Sequence, residues 1–182
     1  MWLWRKSTMV ALSFFVLFAM EGLAQTAASA DQWAGFTGAY QYAGGAQEDE
    51  TRKAAIDHAV EDMSSFTRRI ARNRITATTQ ILGSYSFSFE PGKIVVRPQL
   101  RPEMISGDKG EPADYVYNGK RSTLTQVFAG GRITQVFISD DGKRENEFTL
   151  SKDGQVLTLK VTVTSSRLSN AIIYSLSYKK VN

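Results

Sequence analysis

From residue 75 to the C-terminus, large apolar and polar side chains alternate in short runs. The runs fall at 75–82, 84–90, 93–97, 114–117, 122–128, 133–139, 144–150, 155–163 and 171–179. Alternation with a period of two puts every second side chain on one face, the mark of a half-buried strand. Compact turn pairs separate several runs: Pro91-Gly92, Asn118-Gly119, Gly130-Gly131, Asp141-Gly142 and Asp153-Gly154, the last four spaced 11 to 12 residues apart. Asn-Gly, Asp-Gly and Gly-Gly suit two-residue hairpin turns, so the pattern predicts consecutive antiparallel hairpins. The stretch RPQLRPEMISGDKGEP (97–112) breaks the alternation, and its prolines assign it to an edge or a long loop.

The earlier part of the chain reads differently. WAGFTGAYQYAGG, from Trp33, predicts a first strand with Phe36, Gly38, Tyr40 and Tyr42 on one parity. The period then changes. Between Gln47 and Arg72 there is no Gly or Pro, and Ile56, Val60, Met63, Phe66 and Ile70 recur at spacings of 4, 3, 3 and 4. That is one apolar stripe, and it predicts a single long amphipathic helix over 47–72. Glu48, Asp49 and Glu50 stand at its start and Arg68, Arg69, Arg72 and Arg74 at its end, each charge suited to the helix dipole. The expected class is mainly β: one strand, one helix, then about nine strands, ten in all. A long meander leaves two exposed edges, and closure into a barrel removes them. The helix would bury its stripe on the barrel's mouth or wall.

One phrase occurs twice: LTQVF at 124–128 and ITQVF at 133–137, on either side of Gly130-Gly131. A turn at the glycine pair sets Gln126 opposite Gln135, Leu124 opposite Phe137 and Phe128 opposite Ile133. All six then share one face. Two readings treat the amides as structural: they satisfy each other inside, or the sheet is reversed and Val127 and Val136 face inward. A third treats the face as a cavity wall, apolar with a few placed polar groups, as small-molecule sites are commonly built. In the last strands Leu157, Leu159, Val161 and Val163 share a parity, as do Ile172, Tyr174, Leu176 and Tyr178. The candidate ligand-binding residues are therefore Tyr40, Tyr42, Leu124, Gln126, Phe128, Ile133, Gln135, Phe137, Tyr174 and Tyr178.

The first thirty residues carry a different signal. Arg5 and Lys6 precede a run from Met9 to Met20 in which only Ser13 is polar, and Ala28-Ser29-Ala30 forms an A-x-A cleavage pattern before Asp31. That order matches a secretory signal peptide over 1–30, with Ala24 as a second cut site and 31–182 as a single barrel domain. The apolar run is shorter than the ~20 residues a spanning helix needs, so no stable membrane anchor is expected after cleavage. The expected location is a bacterial periplasm or the extracellular space. With no cysteine in the chain, disulfides, thiol catalysis and thiolate metal sites are excluded. The net charge of +4 is mild, and the arginine cluster at 68–74 is too narrow for a nucleic-acid footprint.

The segment F-T-G-A-Y-Q-Y (Phe36 to Tyr42) resembles the opening strand of calycins, the fatty-acid-binding-protein and lipocalin group, where F-x-G-x-W/Y recurs. The order of a first strand, a helical segment and about nine antiparallel strands is similar too. The resemblance implies a barrel with an internal cavity and a carrier role for a small hydrophobic molecule. This chain departs from it in two ways. Fatty-acid-binding proteins have two short helices where this chain predicts one, and their Arg-x-Tyr near the C-terminus has no counterpart in Tyr174-Ser-Leu-Ser-Tyr178. A fatty-acid head-group site is not carried over.

Catalytic signals are sparse. The single histidine, His58, falls on the polar side of the predicted helix, near Asp57, Glu61 and Asp62. No nucleophile elbow, phosphate loop or H-E-x-x-H is present. No catalytic residue, metal site or cofactor is expected. The leading expectation is an exported, lipocalin-like, non-enzymatic barrel that carries a small hydrophobic molecule. The alternatives are an envelope interaction module with a filled barrel, whose partner is another envelope protein, and a small outer-membrane barrel.

Overall fold

The computed structural model describes residues 33–181. The expected signal peptide and its cleavage sites lie outside the described residues. Ten antiparallel strands form one sheet in the order β4-β3-β2-β1-β10-β9-β8-β7-β6-β5. They are β1 (Gly38–Tyr42), β2 (Ser84–Glu90), β3 (Lys93–Pro98), β4 (Met104–Gly107), β5 (Ala113–Tyr117), β6 (Lys120–Ala129), β7 (Arg132–Ser139), β8 (Gly142–Leu150), β9 (Val156–Thr164) and β10 (Ile172–Val181). Hairpin follows hairpin, so neighbours in sequence are neighbours in the sheet. There are two exceptions: β4 and β5 follow one another in the chain but stand at opposite ends of this order, and β1 lies between β2 and β10.

The sheet closes through the segment that the sequence assigns to an edge or loop. Within it β4 pairs with β3, and just after it β5, the strand expected at 114–117, pairs with β6. Between them Lys109 bridges Val127, and the Gly110 amide donates to the Gln126 carbonyl at 2.9 Å. Pro102 and Pro112 flank this stretch and leave the pairing residues between them free to donate.

The inward face is apolar and the outward face polar. On β9 Leu157, Leu159 and Val161 are fully buried, and on β10 Ile172, Tyr174, Leu176 and Tyr178 are buried. Tyr85, Phe87, Phe148 and Tyr178 fill the centre, with ring centroids 5.1–5.4 Å apart in the Phe87–Phe148, Tyr85–Phe148 and Tyr85–Tyr178 pairs. A helical turn at 33–36 plugs one end, where the Trp33 ring stacks on Phe89 and meets Phe128 edge-on. The strand predicted from Trp33 therefore begins only at Gly38.

The single helix expected over 47–72 is two: α1 (Gly45–Ala59) and α2 (Ser65–Thr78). No Gly or Pro marks the break. Ser64 makes it, leaving the helical region at ψ 152° and accepting the Thr67 amide as an N-cap. Helix α1 packs on β10, burying Ile56 and Ala59, and the Glu48 carboxylate accepts the Ser177 amide at 2.9 Å. Of the predicted stripe, Ile56 and Val60 are buried, whereas Phe66 and Ile70 are exposed, because they sit on the outward side of α2. The arginines do not sit at a helix C-terminus as expected: Arg68 and Arg69 lie near the start of α2. Arg68 donates to the Met63 carbonyl at 2.9 Å and Arg72 pairs with Asp57 of α1 at 2.5 Å, so they fasten the two helices.

The strand expected at 75–82 is absent. Residues 75–78 continue α2, and the hydroxyls of Thr78 and Thr79 donate back to the Ile75 carbonyl at 3.0 and 2.7 Å. Threonine satisfied in this way tolerates a helical end despite its preference for strands. The unforeseen β4 restores the total to ten.

Candidate functional site

The expected hairpin register is present: Gln126 faces Gln135, Leu124 faces Phe137 and Phe128 faces Ile133. Gly130 and Gly131, at φ 58° and 71°, form the turn that permits it. Both glutamines point inward and are completely buried. They belong to a directed chain of hydrogen bonds. Arg144 Nε donates to Asn146 Oδ1 (2.9 Å), Asn146 Nδ2 to Gln135 Oε1 (3.1 Å) and Gln135 Nε2 to Gln126 Oε1 (2.6 Å). Gln126 Nε2 ends the chain on the carbonyls of Ile94 (2.9 Å) and Met104 (3.3 Å). The amides thus stitch β6, β7 and β8 across the interior to β3 and β4. Fully satisfied, such a network costs little and fixes the geometry.

The cavity lies beyond this network, at the end of the barrel opposite the 33–36 plug. Its volume is about 230 Å³. Thr78 and Thr79 at the end of α2 border it, Met104, Asn146 and Tyr85 line its inner part, and Tyr115, Tyr117 and Phe137 supply aromatic walls. The Tyr115 and Phe137 rings meet edge-on at 5.4 Å. Drug-sized ligands occupy roughly 300–1,000 Å³, so this space takes a smaller molecule.

Its electrostatics are one-sided. Arg101, Lys120, Arg121, Lys143 and Arg144 border it with one carboxylate, Asp141. Asp141 is engaged by Lys120 and Arg167, which hold its carboxyl below the usual range. Arg121 pairs with Asp114 and Lys143 with Glu145. Arg101 and Arg144 have no carboxylate partner among the described residues. The Arg101 guanidinium lies 5.0 Å from the Tyr117 ring centroid, its Nε buried without a hydrogen-bond partner. Arg144 donates to two neutral acceptors, Asn146 and the Thr78 carbonyl at 3.2 Å. The Tyr115 hydroxyl is also buried and unpartnered, and burial pushes its pKa up while Arg101 pulls it down.

Of the ten residues singled out from sequence, Phe137 lines this cavity. Gln126, Gln135, Leu124, Ile133, Tyr40 and Tyr178 belong to the packed interior. Tyr174 is buried beside the helices, its hydroxyl 3.5 Å from the Thr79 carbonyl. Tyr42 donates to the Gly45 carbonyl at the start of α1, and Phe128 packs at the plugged end. Sequence reasoning missed Arg101, Tyr115 and Arg144. Arg144 left a signal, since it shares the inward parity of Asn146 and Phe148 and a cation there is anomalous. Arg101 left none, because its place depends on the loop from β3 to β4. His58 is exposed on α1, paired with Glu61 at 2.8 Å.

No protein-family model matches the chain, and no curated protein matches it in sequence. Solved structures do match in fold. A REP1-NXSQ fatty acid transporter aligns with a TM-score of 0.52 at 12% identity, covering 82% of this chain and 98% of that one. A secretory abundant heat soluble protein from Ramazzottius varieornatus aligns at 0.52 and 11%, covering 81% and 96%. A Schistosoma mansoni fatty acid binding protein in complex with arachidonic acid aligns at 0.51 and 15%, covering 83% and 99%. With two helices after the first strand and ten antiparallel strands in a nearly closed barrel, the fold is calycin-like.

Proposed function

We propose that the protein binds and carries a small molecule with an apolar body, seated in the 230 Å³ cavity and not along the barrel axis. The observation that carries this reading is the combination of aromatic walls and unpartnered polar groups at the end of an otherwise packed barrel. The likeness to barrels named as fatty acid transporters and binding proteins is in keeping with it. The role is one of binding without catalysis: arginines, tyrosines and an asparagine supply hydrogen bonds, and the two lysines at the cavity are tied up in ion pairs with Asp141 and Glu145. The N-terminal pattern of residues 1–30 supports export, and with it a periplasmic or extracellular place of action.

Native mass spectrometry of the protein isolated without detergent, before and after organic extraction, tests the proposal. A bound mass that extraction removes, and that the cavity-blocking variant Ser122→Trp fails to retain, is the expected result. A clean apo mass with no uptake from a lipid and metabolite extract would refute it. The second reading, an interaction module for another envelope protein, is favoured by the packed interior and would then take over. An outer-membrane barrel is opposed by the polarity of the strands, polar outside and apolar inside, the reverse of a lipid-facing wall.

A further inference from the structure

We infer that the ligand is a compact, planar monoanion, an aromatic carboxylate in chemical class, whose charge sits between Arg101 and Arg144 against the Tyr115 hydroxyl. The inference rests on the cavity reading above and narrows it. Three observations converge. The first is charge: of the five cations around the cavity, three have carboxylate partners, and Arg101 and Arg144 do not. The second is the pair of buried polar atoms with nothing to bond, Arg101 Nε and Tyr115 Oη. A buried donor left unmade is costly, and one carboxylate accepts from a guanidinium and a phenol together. The third is shape. Tyr115, Tyr117 and Phe137 present aromatic surface, and Tyr85, Met104 and Asn146 line the space beneath. A flat ring system fits such walls by stacking or edge contacts. A long acyl chain has no channel to follow, because the barrel centre is filled by side chains.

Arg101 is held for this task by its loop. Leu100, before it, adopts φ 59°, a left-handed conformation uncommon for a residue with a Cβ. The guanidinium already lies against the Tyr117 ring, so an incoming carboxylate meets a cation whose position is set beforehand.

Isothermal titration calorimetry of the protein with 2-naphthoate, 2-naphthamide and oleate tests the inference. Naphthoate is expected to bind, the neutral amide at least tenfold more weakly, and oleate more weakly than naphthoate. Loss of a hydrogen bond to a charged group predicts a fall of about tenfold to a hundredfold in naphthoate affinity for Arg101→Gln. Tyr115→Phe keeps the ring and should weaken naphthoate by a smaller factor, with circular dichroism checking that both variants fold. Equal binding of naphthoate and naphthamide, unchanged by either substitution, would overturn the anionic head group and leave the cavity reading standing. Tighter binding of oleate would overturn the compact class. If neither naphthalene probe binds, and wild type and Ser122→Trp behave alike, the inference and the cavity reading both fall.

Discussion

Replacing Gln135 by leucine would cut the amide chain at its middle. The variant leaves Gln126 Oε1 and Asn146 Nδ2 without their partners, both in fully or almost fully buried side chains. At about 1–3 kcal/mol for each buried polar group left unmade, less the gain from an added apolar side chain, the expected loss is about 2–4 kcal/mol. Gln126→Leu instead leaves Gln135 Nε2 only a weak sulfur acceptor, Met104 Sδ at 3.5 Å, and takes the side-chain donor from the carbonyls of Ile94 and Met104, with a similar loss. The double variant removes both ends of the 2.6 Å amide pair at once. Its cost should therefore fall short of the sum of the two single costs by about 1–2 kcal/mol. Urea unfolding followed by far-ultraviolet circular dichroism measures all three, and each single variant should melt about 4–16 °C below wild type. Single losses under about 0.5 kcal/mol, or single costs that add to within about 0.5 kcal/mol in the double variant, would refute the idea that these amides act as one buried unit.

Further outcomes follow from other parts of the fold. Gly131→Val forces a β-branched residue to φ 71° in the β6–β7 turn and should cost about 1–2 kcal/mol in the same urea assay. Arg52, buried on α1, joins Asp49 at 2.6 Å and the Thr79 hydroxyl at 3.3 Å. Because Asp49 is partly exposed, Arg52→Leu should cost only about 1–3 kcal/mol, and amide exchange in α2, which buries none of its own residues, should quicken most. Burial raises the phenol pKa of Tyr40, Tyr85, Tyr115 and Tyr178 above the ordinary value, so these groups stay protonated in the folded protein. Their contribution to stability is complete below the unfolded tyrosine pKa of about 10 and is lost as pH rises beyond it. Ultraviolet difference titration should show their ionisation arriving together with unfolding, and a smooth titration of all tyrosines near pH 10 in folded protein would contradict that.

The strands of the second half were legible because two signals agreed in each: a turn pair at the end and a constant parity within. That agreement gave the Gln126–Gln135 register to the residue. The inward direction of the face remained open, since Val127 and Val136 also offered an apolar surface, and tertiary packing decided it. The helix break escaped notice because a serine cap leaves the apolar spacing intact, so Phe66 and Ile70 continue the stripe of Ile56 and Val60 without sharing its burial. Strand β4 was hidden by its prolines, which flank the pairing residues and do not interrupt them. The candidate site was the least legible part. Its polar groups come from a loop, from β5 and from the start of β8, and only the closed barrel brings them within reach of one ligand.

The pairing of β1 with β10 makes the chain a ring cut at one place. Ala39 lies opposite Val181, so the two ends of the described chain are already neighbours. A short linker joining them, with new termini opened at the exposed Asp153-Gly154 turn, would keep every strand pair. In the natural order, by contrast, the edge of β1 facing β10 has no partner until β10 itself has been synthesised. The seam between β1 and β10 is thereby the last of the paired edges to form, whatever the hairpins between them have already built.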